Sequence, residues 1–343
     1  MTTVTAFPEV AVVPDRFGRS LRDVRISVTD RCNFRCPYCM PKARFGPGHR
    51  FLPRAEALDA REIVRLAGVF VSLGVTKIRL TGGEPLLRTD LVEIVEGIAR
   101  LSVPDIALTT NGALLRRWAV RLREAGLHRV TVSLDSLDPA VFAAMSDSRI
   151  EVSEVLDGIA AAREAGLAPV KLNCVVQRGV NEDGLLDLVA FARHEGLGLR
   201  CIEYMDVGAT NGWRMADVVS GDEILERVRR VYPLLDEAPD PTAVARTYRF
   251  ADGDGDLGVI TSVSRPFCGD CTRARLGVDG QLYTCLFATA GIDLREPLRA
   301  GADDDALARI VADRWKRRDD RYSELRGLGI AEGERIEMSY IGG

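Results

Sequence analysis

Short runs rich in β-branched residues alternate along the chain with longer stretches whose apolar residues recur at helical spacing. This alternation is typical of βα units, which form a parallel sheet. The predicted strands cover residues 24–28, 77–80, 106–109, 129–134, 170–176 and 200–204. The predicted helices cover residues 60–73, 90–101, 114–125, 153–165 and 183–195. Six units predict a partial (βα)6 TIM-like barrel or an open α/β sheet, with ligands bound by loops at the carboxyl ends of the strands.

Beyond residue 204 the pattern changes. Residues 233–256 are rich in Pro, Asp and Gly and predict an irregular connection, whereas residues 303–317 form a charged helical stretch. We therefore predict a barrel domain over residues 1–220 and a C-terminal region over residues 221–343. A separate fold of that length would have a marginal core, so we expect this region to close the mouth of the barrel.

Three cysteines, Cys32, Cys36 and Cys39, directly follow the first predicted strand with the spacing C-x3-C-x2-C. Three thiolates are one fewer than a closed zinc site or a ferredoxin cluster normally takes. A cluster held in this way keeps one iron open for a small chelating molecule, which favours a catalytic site. A zinc knot or disulfides are the alternatives.

A second group of three cysteines, Cys268, Cys271 and Cys285, has the spacing C-x2-C-x13-C. We interpret it as a second cluster with an open iron, and a zinc site completed by a distant residue is the alternative. The remaining cysteines, Cys174 and Cys201, lie in apolar strands and are expected to be core residues.

Composition and charge narrow the class of protein. The 343 residues carry a net charge of −4, which gives no general electrostatic case for nucleic acid or anionic membranes. The apolar run at 10–13 is too short for a signal peptide, and no run is long enough to span a bilayer. We expect a cytoplasmic protein, because a reducing compartment keeps eight cysteines available as thiolates.

The first cysteine motif, with Tyr38 directly before its third cysteine, resembles the signature of the radical S-adenosylmethionine (SAM) enzymes. In those enzymes SAM chelates the open iron of a [4Fe-4S] cluster, and one electron releases a 5′-deoxyadenosyl radical. The resemblance implies that Gly83, in the Gly-Gly-Glu-Pro run at 82–85, contacts the methionyl amino group of SAM. It also assigns SAM contacts to Tyr38, Ser133 and Met205, although a turn serine and a core methionine are the ordinary alternatives.

The two cysteine groups together, with Arg-x-Arg directly after Cys271, resemble the GTP 3′,8-cyclase family, which performs the first step of molybdenum cofactor biosynthesis. Matching blocks extend from residues 17–19 to the terminal Tyr-Ile-Gly-Gly at 340–343. The resemblance implies two [4Fe-4S] clusters and SAM as cofactors. It implies that a radical at C3′ of the GTP ribose attacks C8 of guanine, which the second cluster holds. Reduction of the resulting nucleotide radical then gives 3′,8-cyclo-7,8-dihydro-GTP.

Substrate residues are implied by the same resemblance. It implies that Thr109 contacts GTP as a neutral residue. It also implies GTP contacts for a set of cations at the ligand-bearing strand ends, namely Arg25, Arg79, Lys171, Arg273 and Arg275. The chain has no G-x4-G-K-[ST] loop, so a triphosphate has to be met by side-chain cations, and arginine offers bidentate geometry.

The C-terminal Gly-Gly is the last implied site. By resemblance it threads toward the active site, so Gly342 and Gly343 join Arg25 as catalytic residues, and a frayed end is the ordinary alternative. Residues 336–341 alternate apolar with polar residues and predict an anchored strand.

The implied partners are GTP, an electron donor such as flavodoxin or ferredoxin, and a downstream cyclic pyranopterin monophosphate synthase. We expect neither nucleic acid nor a membrane as partner, and a monomer or homodimer. An alternative enzyme is a radical SAM maturase or activase acting on a peptide, and an alternative from another class is a non-catalytic iron–sulfur electron-transfer protein.

Overall fold

The computed structural model describes residues 13–238, 243–326 and 334–342. The strands are β1 (Asp23–Ser27), β2 (Lys77–Thr81), β3 (Asp105–Thr110), β4 (Arg129–Ser133), β5 (Lys171–Val176), β6 (Gly198–Glu203), β7 (Leu234–Asp236), β8 (Arg246–Phe250), β9 (Asp256–Ile260), β10 (Arg273–Leu276), β11 (Gln281–Tyr283) and β12 (Ile292–Asp293). The helices are α1 (Lys42–Phe45), α2 (Ala60–Ser72), α3 (Leu91–Ala99), α4 (Leu115–Glu124), α5 (Pro139–Ser146), α6 (Val152–Glu164), α7 (Leu185–His194), α8 (Gly221–Arg229), α9 (Arg295–Arg299), α10 (Asp304–Lys316), α11 (Tyr322–Leu325) and α12 (Met338–Ile341).

The strands form one sheet in the order β12-β11-β10-β1-β2-β3-β4-β5-β6-β9-β8-β7. Strands β10, β1 to β6 and β9 are parallel, and an antiparallel pair extends the sheet at each edge. The prediction of a partial (βα)6 barrel is confirmed. The C-terminal part of the chain adds strands to both edges of the six-stranded barrel, and a domain boundary at residue 220 stays a prediction.

The core lies between the sheet and the helices that cover its outer face. In β1 the outward-facing Val24 and Ile26 are fully buried, as are Ile63 and Phe70 of α2. Burying each such side chain stabilises the fold by roughly 1.5–3 kcal/mol. Alternate residues of the same strands therefore face the barrel interior, which leaves those positions for polar chemistry.

The six predicted barrel strands and the five predicted helices are confirmed, with ends shifted by a residue or two. Local signals explain this agreement. At the start of α2, for example, the Asp59 side chain accepts from the Glu62 amide at 2.8 Å, and the Glu62 side chain accepts from the Asp59 amide at 2.8 Å. This capping box fixes the first turn of the helix.

The prediction of an irregular connection over 233–256 is wrong in part, because β7 and β8 form there. In β8 the side chains of Tyr248 and Phe250 are buried, and Arg249 between them is exposed. That period-two pattern is typical of a strand with one buried face. The prolines and glycines mark the turns that flank the strands.

The predicted strand over 336–341 is also wrong, because residues Met338–Ile341 form the short helix α12. This segment contacts β1, whose two edges already pair with β10 and β2. A strand therefore finds no open edge there, and Ile341 is instead fully buried as part of a helical turn.

Across the described ranges, no helix combines the length and apolar character needed to cross a membrane.

Candidate active site

The loop that carries Cys32, Cys36 and Cys39 leaves the carboxyl end of β1 and packs against the Gly-Gly-Glu-Pro run after β2. The Gly83 amide donates to the Thr29 carbonyl at 2.7 Å, and the Glu84 amide donates to the Arg31 carbonyl at 2.7 Å. A Cβ atom on Gly83 would overlap the Arg31 carbonyl oxygen, so only glycine permits this approach. The run shapes the cysteine loop, besides the SAM contact predicted for Gly83.

Glu84 ties this loop to the next strand. Its buried carboxylate accepts hydrogen bonds from the Leu86 amide at 3.0 Å, the Thr110 hydroxyl at 2.8 Å and the Asn111 amide at 2.7 Å. Burial raises the pKa of the Glu84 carboxyl to about 7, although these donors oppose the shift. The residue therefore holds the carboxyl ends of β2 and β3 together.

Tyr38 connects the cysteine loop to the opposite side of the barrel. Its hydroxyl donates to Asp135 Oδ2 at 2.7 Å, and Asp135 Oδ1 accepts from the Val175 amide at 2.8 Å. Burial raises the pKa of the Asp135 carboxyl to about 6. Asp135 is missing from the predicted site. Its position just past the end of a predicted strand is the sequence signal that could have identified it as a site residue.

The second cysteine group lies at the other end of the barrel. Cys268 and Cys271 precede β10, which runs parallel to β1, and Cys285 follows the antiparallel β11. All three cysteines therefore sit at the amino ends of the parallel strands. The C-terminal region closes the opening opposite the first cysteine motif.

One cavity connects the two ends. Its lining includes all six cysteines of the two groups, the predicted SAM residues Tyr38, Gly83, Ser133 and Met205, and the predicted GTP residues Arg25, Thr109, Arg273 and Arg275. Asp135 lines it as well. A molecule bound at the first cysteine group can therefore meet one bound at the second.

The cations belong to neighbouring strands. Arg25 of β1 pairs in register with Arg275 of β10 on one side and Arg79 of β2 on the other. Arg273 begins β10 and Lys171 begins β5. The expectation that these cations gather at the carboxyl strand ends is therefore wrong. They lie at the start and middle of their strands, and they face the barrel interior because they alternate with the outward-facing core residues.

Two predicted cations, Arg79 and Lys171, lie outside the cavity lining. The Arg79 guanidinium donates to the Thr109 hydroxyl at 2.9 Å and to the Thr131 hydroxyl at 3.2 Å, so it supports a residue that does line the cavity. Burial, followed by repulsion from Arg200 and other cations, lowers the pKa of Lys171 to about 8.

Three further cations of this interior, Lys77, Arg129 and Arg200, are missing from the predicted site. Lys77 pairs with Asp23 at 3.2 Å, and Arg129 makes two hydrogen bonds to Asp105, at 2.8 and 2.6 Å. Lys77 has a signal in the sequence, its period-two spacing from Arg79 on β2, and Arg129 begins β4 as Lys171 begins β5. Cations outnumber carboxylates in this interior, which favours an anionic ligand.

Arg25 is the clearest example of that excess. Within the described part of the chain its side chain makes no hydrogen bond, and its buried Nε has no partner. Burial, followed by repulsion from Arg273, lowers the pKa of the Arg25 guanidinium to about 9. An anion in the cavity would satisfy this guanidinium.

The C-terminal tail enters the barrel between these groups. Arg275 Nη1 donates to the Gly342 carbonyl. Gly342 has a φ of +76°, and a Cβ atom there would overlap the Thr81 side chain. Gly343 lies outside the described residues. Glycine at 342 therefore lets the chain approach β2 closely, and a frayed end does not describe this residue.

Comparisons with known proteins agree with this arrangement. A model of the Radical SAM superfamily matches residues 26–192, and a model described as Molybdenum Cofactor Synthesis C matches residues 197–324. The GTP 3′,8-cyclase of Acidothermus cellulolyticus is 51% identical over 96% of this chain and 99% of that protein. The chain belongs to the GTP 3′,8-cyclase family. A second family member, from Xanthomonas axonopodis pv. citri, is 50% identical over 97% of this chain and 99% of its own length.

A likeness to solved structures supports the fold alone. The crystal structure of Streptococcus suis SuiB superposes with a TM-score of 0.61 at 15% identity, over 90% of this chain and 69% of that protein.

The cofactors of a GTP 3′,8-cyclase, two [4Fe-4S] clusters and SAM, fit the residues present. Burial raises the pKa of the Cys32 and Cys285 thiols to about 12, so without iron they are protonated and cluster binding has to release protons. Burial opposes ionisation of Cys271 as well, but Arg273 and Arg318 lower its pKa to about 7. No three His, Cys, Asp or Glu side chains in the described ranges converge on a single metal ion.

Cys174 and Cys201 are buried and pair in register between β5 and β6, so their prediction as core residues is confirmed.

Proposed function

We infer that the chain catalyses the radical SAM cyclisation of GTP to 3′,8-cyclo-7,8-dihydro-GTP, the first step of molybdenum cofactor biosynthesis. One observation carries this proposal: a single cavity is lined by both three-cysteine groups and by inward-facing arginines. The likeness to GTP 3′,8-cyclases over nearly the whole chain supports the same reaction.

We assign the SAM-binding cluster to Cys32, Cys36 and Cys39. A [4Fe-4S] cluster with an open iron supplies, when bound there, the electron that cleaves SAM to a 5′-deoxyadenosyl radical. The chain's own residues orient SAM: the Gly83 backbone meets its amino group, and Ser133 and Met205 face it from the ends of β4 and β6. Tyr38 and Asp135 brace the loop that carries the cysteines.

The triphosphate of GTP is assigned to Arg25, Arg273 and Arg275, which line the cavity, with Thr109 as a neutral contact. Arg79 positions Thr109 through its hydrogen bond, and Lys171 adds positive potential from the start of β5. Cys268, Cys271 and Cys285 would hold the second cluster, and its open iron would bind the guanine. The inward-facing cations favour a polyphosphate substrate over the peptide of a maturase.

The reaction implies partners that we also propose. Cleavage of SAM consumes an electron, so a low-potential donor such as flavodoxin or ferredoxin has to reach the first cluster. The cyclised nucleotide is the substrate of a cyclic pyranopterin monophosphate synthase. We propose a monomer or homodimer acting in the cytoplasm, where reduced thiolates persist.

A nucleotide comparison tests the proposed function. Anaerobically reconstituted enzyme with reductant and SAM should consume GTP and release 5′-deoxyadenosine, while ATP at the same concentration should remain unchanged. The same assay with GDP shows how much the terminal phosphate contributes to consumption of the nucleotide. Release of 5′-deoxyadenosine with no nucleotide consumed would contradict the proposal and favour a peptide substrate.

The substitution Arg25→Ala should weaken GTP binding by about 10- to 150-fold, the cost of one charge-assisted hydrogen bond. Because the Arg25 side chain is half-buried, repelled by its neighbours and without a hydrogen bond in the described part of the chain, its loss should keep or raise the melting temperature. Calorimetry with GTP and a thermal melt check the two effects. The control Arg265→Ala removes an exposed arginine paired with Asp222 and should change neither. Parent-level GTP affinity of the Arg25 variant would refute the assignment.

A further inference from the structure

A buried carboxylate and two buried arginines adjoin the second cysteine group. Asp15 Oδ2 contacts Arg19 Nε at 2.6 Å and Arg318 Nη1 at 3.1 Å. The side chains of Asp15, Arg19 and Arg318 are 0%, 3% and 1% exposed. The three residues come from the two ends of the described chain. We call them the Asp15 network.

Both arginines of the Asp15 network donate onward to the cysteine loops. Arg19 Nη1 donates to the Cys268 carbonyl at 2.5 Å, and Arg318 Nη1 donates to the Cys271 carbonyl at 2.6 Å. Arg318 Nε donates to the Thr284 carbonyl at 3.1 Å, directly before Cys285. Each cysteine of the second group therefore has a buried guanidinium hydrogen-bonded to its own carbonyl or to the carbonyl of the residue before it.

The network is held rigidly. Asp15 Oδ1 accepts from the amides of Phe17 and Arg19, each at 2.9 Å. The Trp315 indole donates to the Arg19 carbonyl at 2.9 Å, and the Arg318 guanidinium lies 4.6 Å from the Trp315 ring centroid. The Nη2 of Arg19 is buried without a partner in the described ranges, which leaves one more N–H donor beside the cysteine loops.

Such a network adds little to the stability of the fold. Burying three charges carries a desolvation cost that ion pairing often only offsets, and apolar side chains of similar size commonly do as well. Hydrogen bonds and charges around a cluster, in contrast, set its geometry and its reduction potential. The contacts with the cysteine loops point to the second role.

We propose that Asp15, Arg19 and Arg318 are positioning residues that set the shape of the second cysteine group and the charge around the cluster bound there. The proposal rests on the proposed function only in taking Cys268, Cys271 and Cys285 as cluster ligands. Asp15 balances two cations that would otherwise repel each other and pull on the cysteine loops.

The test uses the reconstituted enzyme with both clusters and the substitution Asp15→Asn, which keeps the shape and removes the charge. Loss of the Asp15 carboxylate removes one negative charge and leaves Asp320, whose Oδ2 lies 3.4 Å from Arg318 Nε, as the remaining carboxylate partner of the two arginines. The surroundings of the second cluster become more positive, so its reduced and more negative state is favoured and its reduction potential should rise. Iron release from this cluster to a chelator should accelerate about tenfold or more, because charge-assisted hydrogen bonds are weakened. SAM shifts the spectrum of the first cluster, so the unshifted signal reports the second one.

The matched control is Arg16→Ala, in the residue next to Asp15. Arg16 pairs with Asp319 on the surface, where the two side chains are 59% and 63% exposed, and its loss should change neither the potential nor iron release. SAM cleavage at the first cluster should persist in both variants. A parent-like potential and parent-like iron release in Asp15→Asn would overturn the proposal.

A second variant covers the case in which Asp15→Asn does not fold, as judged by a thermal melt. Arg19→Lys keeps the positive charge but offers a single nitrogen for both Asp15 and the Cys268 carbonyl. It should release iron faster while the potential stays near that of the parent, and parent-like iron release would overturn the proposal. These measurements need no GTP, so a failure to cyclise GTP with normal cluster properties would count against the proposed function instead.

Discussion

Deletion of Gly342 and Gly343 is expected to leave a folded enzyme that holds both clusters, binds GTP and cleaves SAM, yet forms cyclised GTP at least about a hundredfold more slowly. The tail acts on geometry: the Gly342 carbonyl accepts from Arg275, a proposed triphosphate residue, and the chain there packs against Thr81. Without the tail Arg275 loses this restraint, and a misplaced group of this kind costs about two orders of magnitude in rate. Product formation and 5′-deoxyadenosine release are measured side by side.

Two glycine substitutions sharpen this test. Gly342→Ala adds a Cβ atom that overlaps Thr81 at a φ of +76°, so it should slow cyclisation as the deletion does. Gly253→Ala carries similar backbone strain at a φ of +82°, but its Cβ has no neighbour within 4 Å, so cyclisation should proceed at the parent rate. Parent-level product from the truncated enzyme would refute a role for the tail in the reaction.

Loss of one cysteine from each group should separate the two halves of the reaction. Cys36→Ala is expected to abolish SAM cleavage, because the remaining two thiolates hold the SAM-binding cluster poorly. Cys271→Ala should keep some SAM cleavage and form no cyclised GTP, because the two groups lie at opposite ends of one cavity. The parent should hold roughly eight irons per chain, and each variant roughly half.

The control for both is Cys174→Ala, which removes a buried cysteine of the core. It should keep the full iron content and both activities. If the Cys271 variant formed product at the parent rate, the second group would not be a substrate site.

Much of the barrel could be predicted from sequence because its signals are local. Strand and helix periods, caps and glycine turns predicted the elements from β1 to β6, and the spacing of six cysteines predicted two cluster sites. The same locality explains the wrong strand at 336–341. Alternation is a property of the segment alone, whereas the occupied edges of β1 are a property of the whole sheet.

The relative position of the two cysteine groups depends on contacts that no spacing reveals. Pairing of β10 with β1 joins residues that are far apart in the chain and places Cys268 and Cys271 at the amino end of the barrel. Asp15 and Arg318 likewise meet across 303 positions. Tyr38 and Asp135, separated by 97 positions, are a third example. Each partner is an ordinary charged or polar residue until the fold brings the pair together.

The central claim is that one cavity delivers a radical made at the first cysteine group to the ribose of GTP held at the second. GTP carrying deuterium at C3′ tests it most directly, with reconstituted enzyme, reductant and unlabelled SAM. We expect one deuterium in the released 5′-deoxyadenosine and none at C3′ of the 3′,8-cyclo-7,8-dihydro-GTP. Unlabelled 5′-deoxyadenosine formed alongside the cyclised product would contradict it.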